Sequence, residues 1–219
     1  MANKKIGVLL SGCGVFDGSE IHEAVLTLLF IAQKGGEAVC MAPNIDQTEV
    51  INHLTQEKMS ETRNVLVESA RIARGEIKDI ATISAKDLDG LILPGGYGAA
   101  KNLSEFAFKG PMGTVLPQVL RLVSEMQKAG KPIGGLCIAP ATLAMALKER
   151  SVEMTIGNDV NVSAALGAVG AKHKTCGVGE IVVDESHKVV TTPAYMLGPG
   201  IKDVAVGIEK LVIKVLAMA

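Results

Sequence analysis

The chain has 219 residues, a formal net charge of -1, and 48% apolar residues against 3% aromatic, with no tryptophan. This length suits one domain over residues 1–219, its core built from Ala, Val, Ile, Leu and Gly. The near-neutral charge, with no basic stripe and no block of like charge, argues against nucleic acid and an anionic membrane surface as partners. No apolar run reaches the ~18 residues of a spanning helix. The first one breaks at Ser11-Gly12-Cys13-Gly14, too early for a signal peptide. Four cysteines, at 13, 40, 137 and 176, are scattered without a C-x-x-C or clustered histidines. Neither a metal site nor a disulfide framework is expected, and the chain reads as a soluble protein of a reducing cytoplasm.

Taken in order, apolar runs alternate with helical patterns. Residues 5–10 read as a strand buried on both faces. Asp17-Gly18-Ser19 leads into a helix with Ser19 as N-cap and Glu20 and Glu23 in its first turns, ending at Gly35-Gly36. Ala38–Met41 is a second strand, and residues 44–62, polar and unperiodic, form an irregular excursion. A helix over 65–72 precedes the strand Gly90-Leu91-Ile92-Leu93, which stops at Pro94-Gly95-Gly96-Tyr97-Gly98. Residues 103–114 read as a loop and 115–128 as an amphipathic helix. Lys131–Leu136 is a strand running into a helix over 138–148. Val152–Ile156, a short helix near 164–166, a hairpin around Asp184–Lys188 and a helix over 201–216 complete the chain. The alternation predicts a mostly parallel sheet covered by helices on both faces. Ligands bind such sheets at the carboxyl ends of the strands, where loops 11–20, 94–100 and 137–140 would meet.

Pro132-Ile133-Gly134-Gly135-Leu136-Cys137-Ile138-Ala139-Pro140 reads as a nucleophile elbow: strand, sharp turn, helix, with one cysteine at the apex. By itself a free cysteine is more often a small buried hydrophobe. At a strand-to-helix junction, however, the helix N-terminus favours a thiolate. A thiolate adding to a carbonyl generates an oxyanion. The amides of Ile138, Gly95 and Gly96 stand where they could receive it. Glu20 and Glu23, three apart on one helix face, are the candidate proton carriers, and spacing does not choose between them. Of the four histidines, His22 is expected on a different face of that helix. His53, His173 and His187 fall on surface segments.

Leu91-Ile92-Leu93-Pro94-Gly95-Gly96 and Gly135-Leu136-Cys137-Ile138-Ala139-Pro140 resemble the paired signatures of the ThiJ/PfpI superfamily, the class I glutamine amidotransferase-like fold. Residues 11–23, Gly98–Leu103 and Thr191–Met196 resemble its ElbB subgroup, also called enhancing lycopene biosynthesis protein 2. The resemblance runs nearly end to end. It implies a flavodoxin-like three-layer sandwich with a small β-hairpin, a homodimer, and Cys137 as nucleophile. Ungapped matching of the first helix places the acidic partner at Glu23, with Glu20 one turn earlier as the fallback. The sequence departs from two branches of the superfamily. Ile138 stands where protease-like members have histidine, and the downstream His-x-Glu of glutamine amidotransferases is absent.

The expected activity is therefore a glutathione-independent glyoxalase, needing no metal or organic cofactor and acting on a small reactive aldehyde such as glyoxal or methylglyoxal. Cys137 would form a hemithioacetal and Glu23 or Glu20 would move the proton between carbons. The rivals are a redox sensor or binding protein using an oxidisable Cys137, and an amidotransferase-like accessory of isoprenoid metabolism.

Overall fold

The computed structural model describes residues 3–219. Its first strands and helices follow the alternation of the sequence: β1 (Lys5–Leu9), α1 (Ile21–Gln33), β2 (Glu37–Ala42) and α2 (Val65–Ile72). Next come β3 (Lys78–Asp79), β4 (Gly90–Leu93), α3 (Tyr97–Lys101), α4 (Phe106–Lys109) and α5 (Pro117–Lys128). The second half contains β5 (Ile133–Leu136), α6 (Ala139–Ala146), β6 (Glu153–Met154), α7 (Val160–Ala168) and β7 (Lys172–His173). It ends with β8 (Val182–Asp184), β9 (Val189–Thr192) and α8 (Ile201–Met218).

Seven strands form one sheet in the order β3-β2-β1-β4-β5-β9-β8, and β6 pairs separately with β7. All pairings in the large sheet are parallel except β8 with β9. The expected flavodoxin-like α/β sandwich with a small hairpin is thus the architecture found.

Side-chain alternation assigns the two faces. Cys40, Val8, Ile92, Gly134 and Val190 lie in register across five strands. The side chains of this row pack beneath α1 and α8 with Ala24, Ile31, Ile208 and Leu211. The gap left by Gly134 is filled by α8, since a Cβ there would fall 2.9 Å from Leu211 Cδ2. The neighbouring row, Leu91, Ile133 and Val189, faces the other way. It packs with Val119, Leu122 and Met126 of α5 and Leu143 of α6. Both layers are apolar because the central strands are buried on both faces.

Several local expectations are corrected. Glu20, not Ser19, caps α1: its Oε2 accepts the Glu23 N–H at 2.7 Å. The Ser19 hydroxyl instead receives the Ser11 N–H at 2.9 Å. The turn expected at Pro94–Gly98 passes into α3 at Tyr97, and the expected loop 103–114 contains α4. Asn102 Nδ2 binds the carbonyls of Ser11 and Asp17 at 2.9 and 2.8 Å, tying the end of α3 to the β1 loop. These long-range bonds offset the glycine content of that segment. α5 begins at Pro117 rather than 115, and α7 is longer than expected. The excursion 44–62 folds over the β1 loop, with Ile51 N–H donating to Asp17 Oδ2 at 2.8 Å and Thr48 N–H to Asn102 Oδ1 at 3.0 Å.

Candidate active site

β5 ends at Leu136, and the chain turns so sharply that Cys137 adopts φ +58°. A non-glycine residue in this left-handed region carries strain of about 1–3 kcal/mol. It is held there by its N–H bond to the Thr192 carbonyl, 3.0 Å, and by the buried helix α6 that follows. The result lifts Sγ above the carboxyl edge of the sheet, where Cys137 is 8% exposed.

β4 delivers Gly95 and Gly96 to the same place. A Cβ on Gly95 would lie 2.5 Å from Cys137 Cβ and 2.6 Å from Glu23 Oε2, so only glycine fits. Gly96 has φ +91° and turns its backbone into α3. α1 supplies the acid. Its start is pinned by the Glu20 N–H, which donates to the Gly95 carbonyl at 2.9 Å. Glu23 has no solvent exposure. Its Oε2 accepts the Gly95 N–H at 2.8 Å, its Oε1 accepts the Tyr195 N–H at 3.2 Å, and its carboxyl stands beside Cys137, the two crowding the same face of Gly95. The N–H groups of Gly96 and Ile138 both point at the sulfur.

The candidates therefore separate by position. Glu23 meets the thiol directly, while Glu20 lines the cavity and caps α1. Gly96 and Ile138 face the sulfur, but Gly95 does not serve as an oxyanion donor because its N–H is committed to Glu23. His22, expected on a different face of α1, does not line the cavity; its Nδ1 lies 2.7 Å from the Tyr195 hydroxyl. His53 contacts Phe16 and Asp17 in the outer loop, and His187 binds Asp184 in the β8–β9 turn. Tyr195 was not singled out from sequence. The usable signal was its position just past the carboxyl end of a parallel strand, β9.

Burial, then the nearby Glu20 charge, raises the Glu23 carboxyl to about 7. Burial and an ionised Glu23 push the Cys137 thiol well above its ordinary range. This overturns the expectation of a thiolate set by the helix terminus. A helix N-terminus contributes about 0.3–2 kcal/mol. Full burial of an ionisable group is worth about 3–5 pKa units, or about 4–7 kcal/mol. Desolvation wins: near neutrality Cys137 keeps its thiol proton while Glu23 titrates, and the two acids do not ionise together. A thiolate becomes accessible when ionised Glu23 takes the thiol proton, because the repulsion then vanishes and the Gly96 and Ile138 N–H groups remain.

The sulfur opens into a cavity of about 410 Å³. Both tyrosines of the chain, Tyr97 and Tyr195, line it, with Phe106, Glu20 and Asp159. Among the described residues no group of three His, Cys, Asp or Glu side chains is placed to hold a metal ion. No described helix is long and apolar enough to cross a membrane.

No family model matches the chain. It is 45% identical over 224 residues to human glutamine amidotransferase-like class 1 domain-containing protein 3, mitochondrial, covering 98% of this chain and 83% of the relative. It is 44% identical to the rat ES1 protein homolog, mitochondrial, covering 98% and 84%. Among solved structures, an isoprenoid biosynthesis protein with an amidotransferase-like domain from Ehrlichia chaffeensis superposes with TM-score 0.93 at 38% identity, covering 98% of this chain and 99% of that one. A Schizosaccharomyces pombe DJ-1 variant shares the fold at TM-score 0.59 and 18% identity, covering 97% and 90%. The expected cytoplasmic location is corrected by the human and rat relatives, which are named mitochondrial. Cysteine spacing reports a reducing environment and does not distinguish one reducing compartment from another. With identity of this level along almost its whole length, the chain belongs to the glutamine amidotransferase-like class 1 (ES1) family, whose fold is that of the DJ-1/ThiJ/PfpI proteins.

Proposed function

We propose that the protein is a cofactor-independent glyoxalase-type enzyme that converts a 2-oxoaldehyde to the 2-hydroxy acid. The observation that carries this reading is the contact of Cys137 Sγ with a buried Glu23 carboxyl held near neutrality, with two backbone N–H groups aimed at the sulfur. A general acid/base works best when its pKa lies near the working pH.

Ionised Glu23 takes the thiol proton, the thiolate adds to the aldehyde carbon, and Glu23 gives that proton to the new alkoxide. The ionised Glu23 then removes the hydrogen of that carbon as a proton. The electron pair moves into the carbon–carbon bond, and charge develops on the second oxygen. Tyr195 protonates this oxygen; its raised pKa, caused by burial and by Glu20 and Glu23, keeps the hydroxyl protonated beforehand. Glu23 delivers its proton to the second carbon while the first hydroxyl returns one to the tyrosinate, leaving a thioester. Water cleaves the thioester, its proton passing through Glu23 to sulfur, and the 2-hydroxy acid leaves. Every proton is returned, and water is the sole co-reactant.

Two observations bear on the rivals. A cysteine–histidine amidotransferase pair finds no support at the elbow, where His22 is bonded to Tyr195 instead of Cys137. A redox role draws on the same partly open sulfur beside a protonated carboxyl. The test is turnover of methylglyoxal to lactate by wild type and by Cys137→Ser. We expect loss of more than 1000-fold with an unchanged circular dichroism spectrum. Retention of turnover by the variant would exclude the mechanism. Peroxide sensitivity without any wild-type turnover would favour the redox reading.

A further inference from the structure

The cavity above Cys137 is larger and greasier than the smallest dicarbonyls require. A space of about 410 Å³ falls in the range that holds drug-sized ligands, roughly 300–1,000 Å³, whereas glyoxal has four heavy atoms. Its walls beyond the sulfur are apolar: Val15, Phe106, Ile138, Val162 and Met196. Its ionisable side chains, apart from Cys137 and the tyrosines, are the carboxylates Glu20 and Asp159, and among the described residues lining it there is no Lys or Arg. Lys101, behind the Tyr97 ring at 5.4 Å, is already bound to Glu49 at 2.8 Å and to the Phe16 carbonyl at 3.2 Å. A phosphate or carboxylate on the substrate would thus meet like charge and no counter-ion.

We infer that the site selects an uncharged 2-oxoaldehyde carrying an apolar group larger than methyl. This rests on the glyoxalase-type reading and narrows its substrate class. The apolar group would lie against Phe106, Val162 and Met196. The aldehyde carbon would then sit over Cys137, with the second oxygen towards Tyr195. Burying that group against the apolar wall favours it over methyl. The two carboxylates act as a filter against anions.

The test compares initial rates on phenylglyoxal, methylglyoxal and 4-carboxyphenylglyoxal, which share one reacting group and differ in size and charge. We expect kcat/KM for phenylglyoxal to exceed that for methylglyoxal by about tenfold and that for 4-carboxyphenylglyoxal by about tenfold. Asp159→Asn preserves the N-cap that Asp159 gives Val162 N–H at 2.8 Å. That variant should narrow the charge discrimination about threefold. If methylglyoxal or the carboxylated substrate is turned over as well as phenylglyoxal, the inference is overturned while the Cys137 mechanism stands. If none of the three is turned over, the glyoxalase-type reading itself fails.

Discussion

A carboxyl with no solvent exposure costs stability whenever it ionises, and Glu23 is such a group. Its folded pKa of about 7 stands above the ordinary 4.5. The stability it contributes is therefore fully present below pH 4.5 and is lost as pH rises through about 7. Glu23→Gln removes the ionisation, so its stability relative to wild type should rise by about 3 kcal/mol between pH 4.5 and pH 8, and turnover should be abolished. Thermal melts should show the difference between variant and wild type shifting in the variant's favour as pH rises from 4.5 to 8. A difference independent of pH would mean that Glu23 is not the group being relieved. Tyr195 poses a separate question. If its hydroxyl receives the second oxygen, Tyr195→Phe should lower kcat by about 100-fold, at the low end of general acid–base effects, with KM little changed. Equal kcat in the two proteins would remove Tyr195 from the reaction.

Elements position these residues by close backbone approach. β4 and α1 touch through Gly95, which binds Glu23 by its N–H and Glu20 by its carbonyl. Gly95→Ala inserts a methyl 2.5 Å from Cys137 Cβ. Overpacking of this kind costs about 1–3 kcal/mol, and a displaced Glu23 should reduce turnover at least tenfold. Chemical denaturation and kinetics on the same preparation would check both. A variant that keeps full activity would show that the contact is not rigid.

Across the whole molecule, the sheet edge depends on a polar joint. Asp184 at the end of β8 accepts the Glu153 N–H of β6 at 2.9 Å, the Ser186 hydroxyl at 2.6 Å and the His187 N–H at 3.0 Å. Against the upward push of burial, these bonds hold its carboxyl well below the usual range. A depressed carboxyl stabilises above its ordinary pKa and loses that contribution as the medium becomes more acidic. Asp184→Ala should cost about 2 kcal/mol at pH 7, since bonds to a charged group are worth about 1.5–3 kcal/mol each and water replaces some of them. The deficit should shrink towards pH 3. An equal deficit at both pH values would place the loss in packing rather than charge.

Much of this was legible in the chain. Apolar runs such as 5–10 and 90–93, bounded by glycine and proline, gave parallel strands because burial on both faces demands continuous apolar sequence. The elbow at Cys137 was legible because a strand, a cysteine and a helix follow without a break. The location was misread, because composition reports redox conditions rather than compartment. Spacing left Glu20 and Glu23 equivalent, since both lie on one helix face. Tertiary structure separated them: residues 72 and 172 positions away donate the Gly95 and Tyr195 N–H groups to Glu23 and bury it against the sulfur. It also joined His22 to Tyr195 and reversed the sign of the Cys137 shift. Local sequence carries periodicity, turns and caps; desolvation depends on which distant segments close over a group, and that was decided only when β4, β5 and β9 converged on the start of α1.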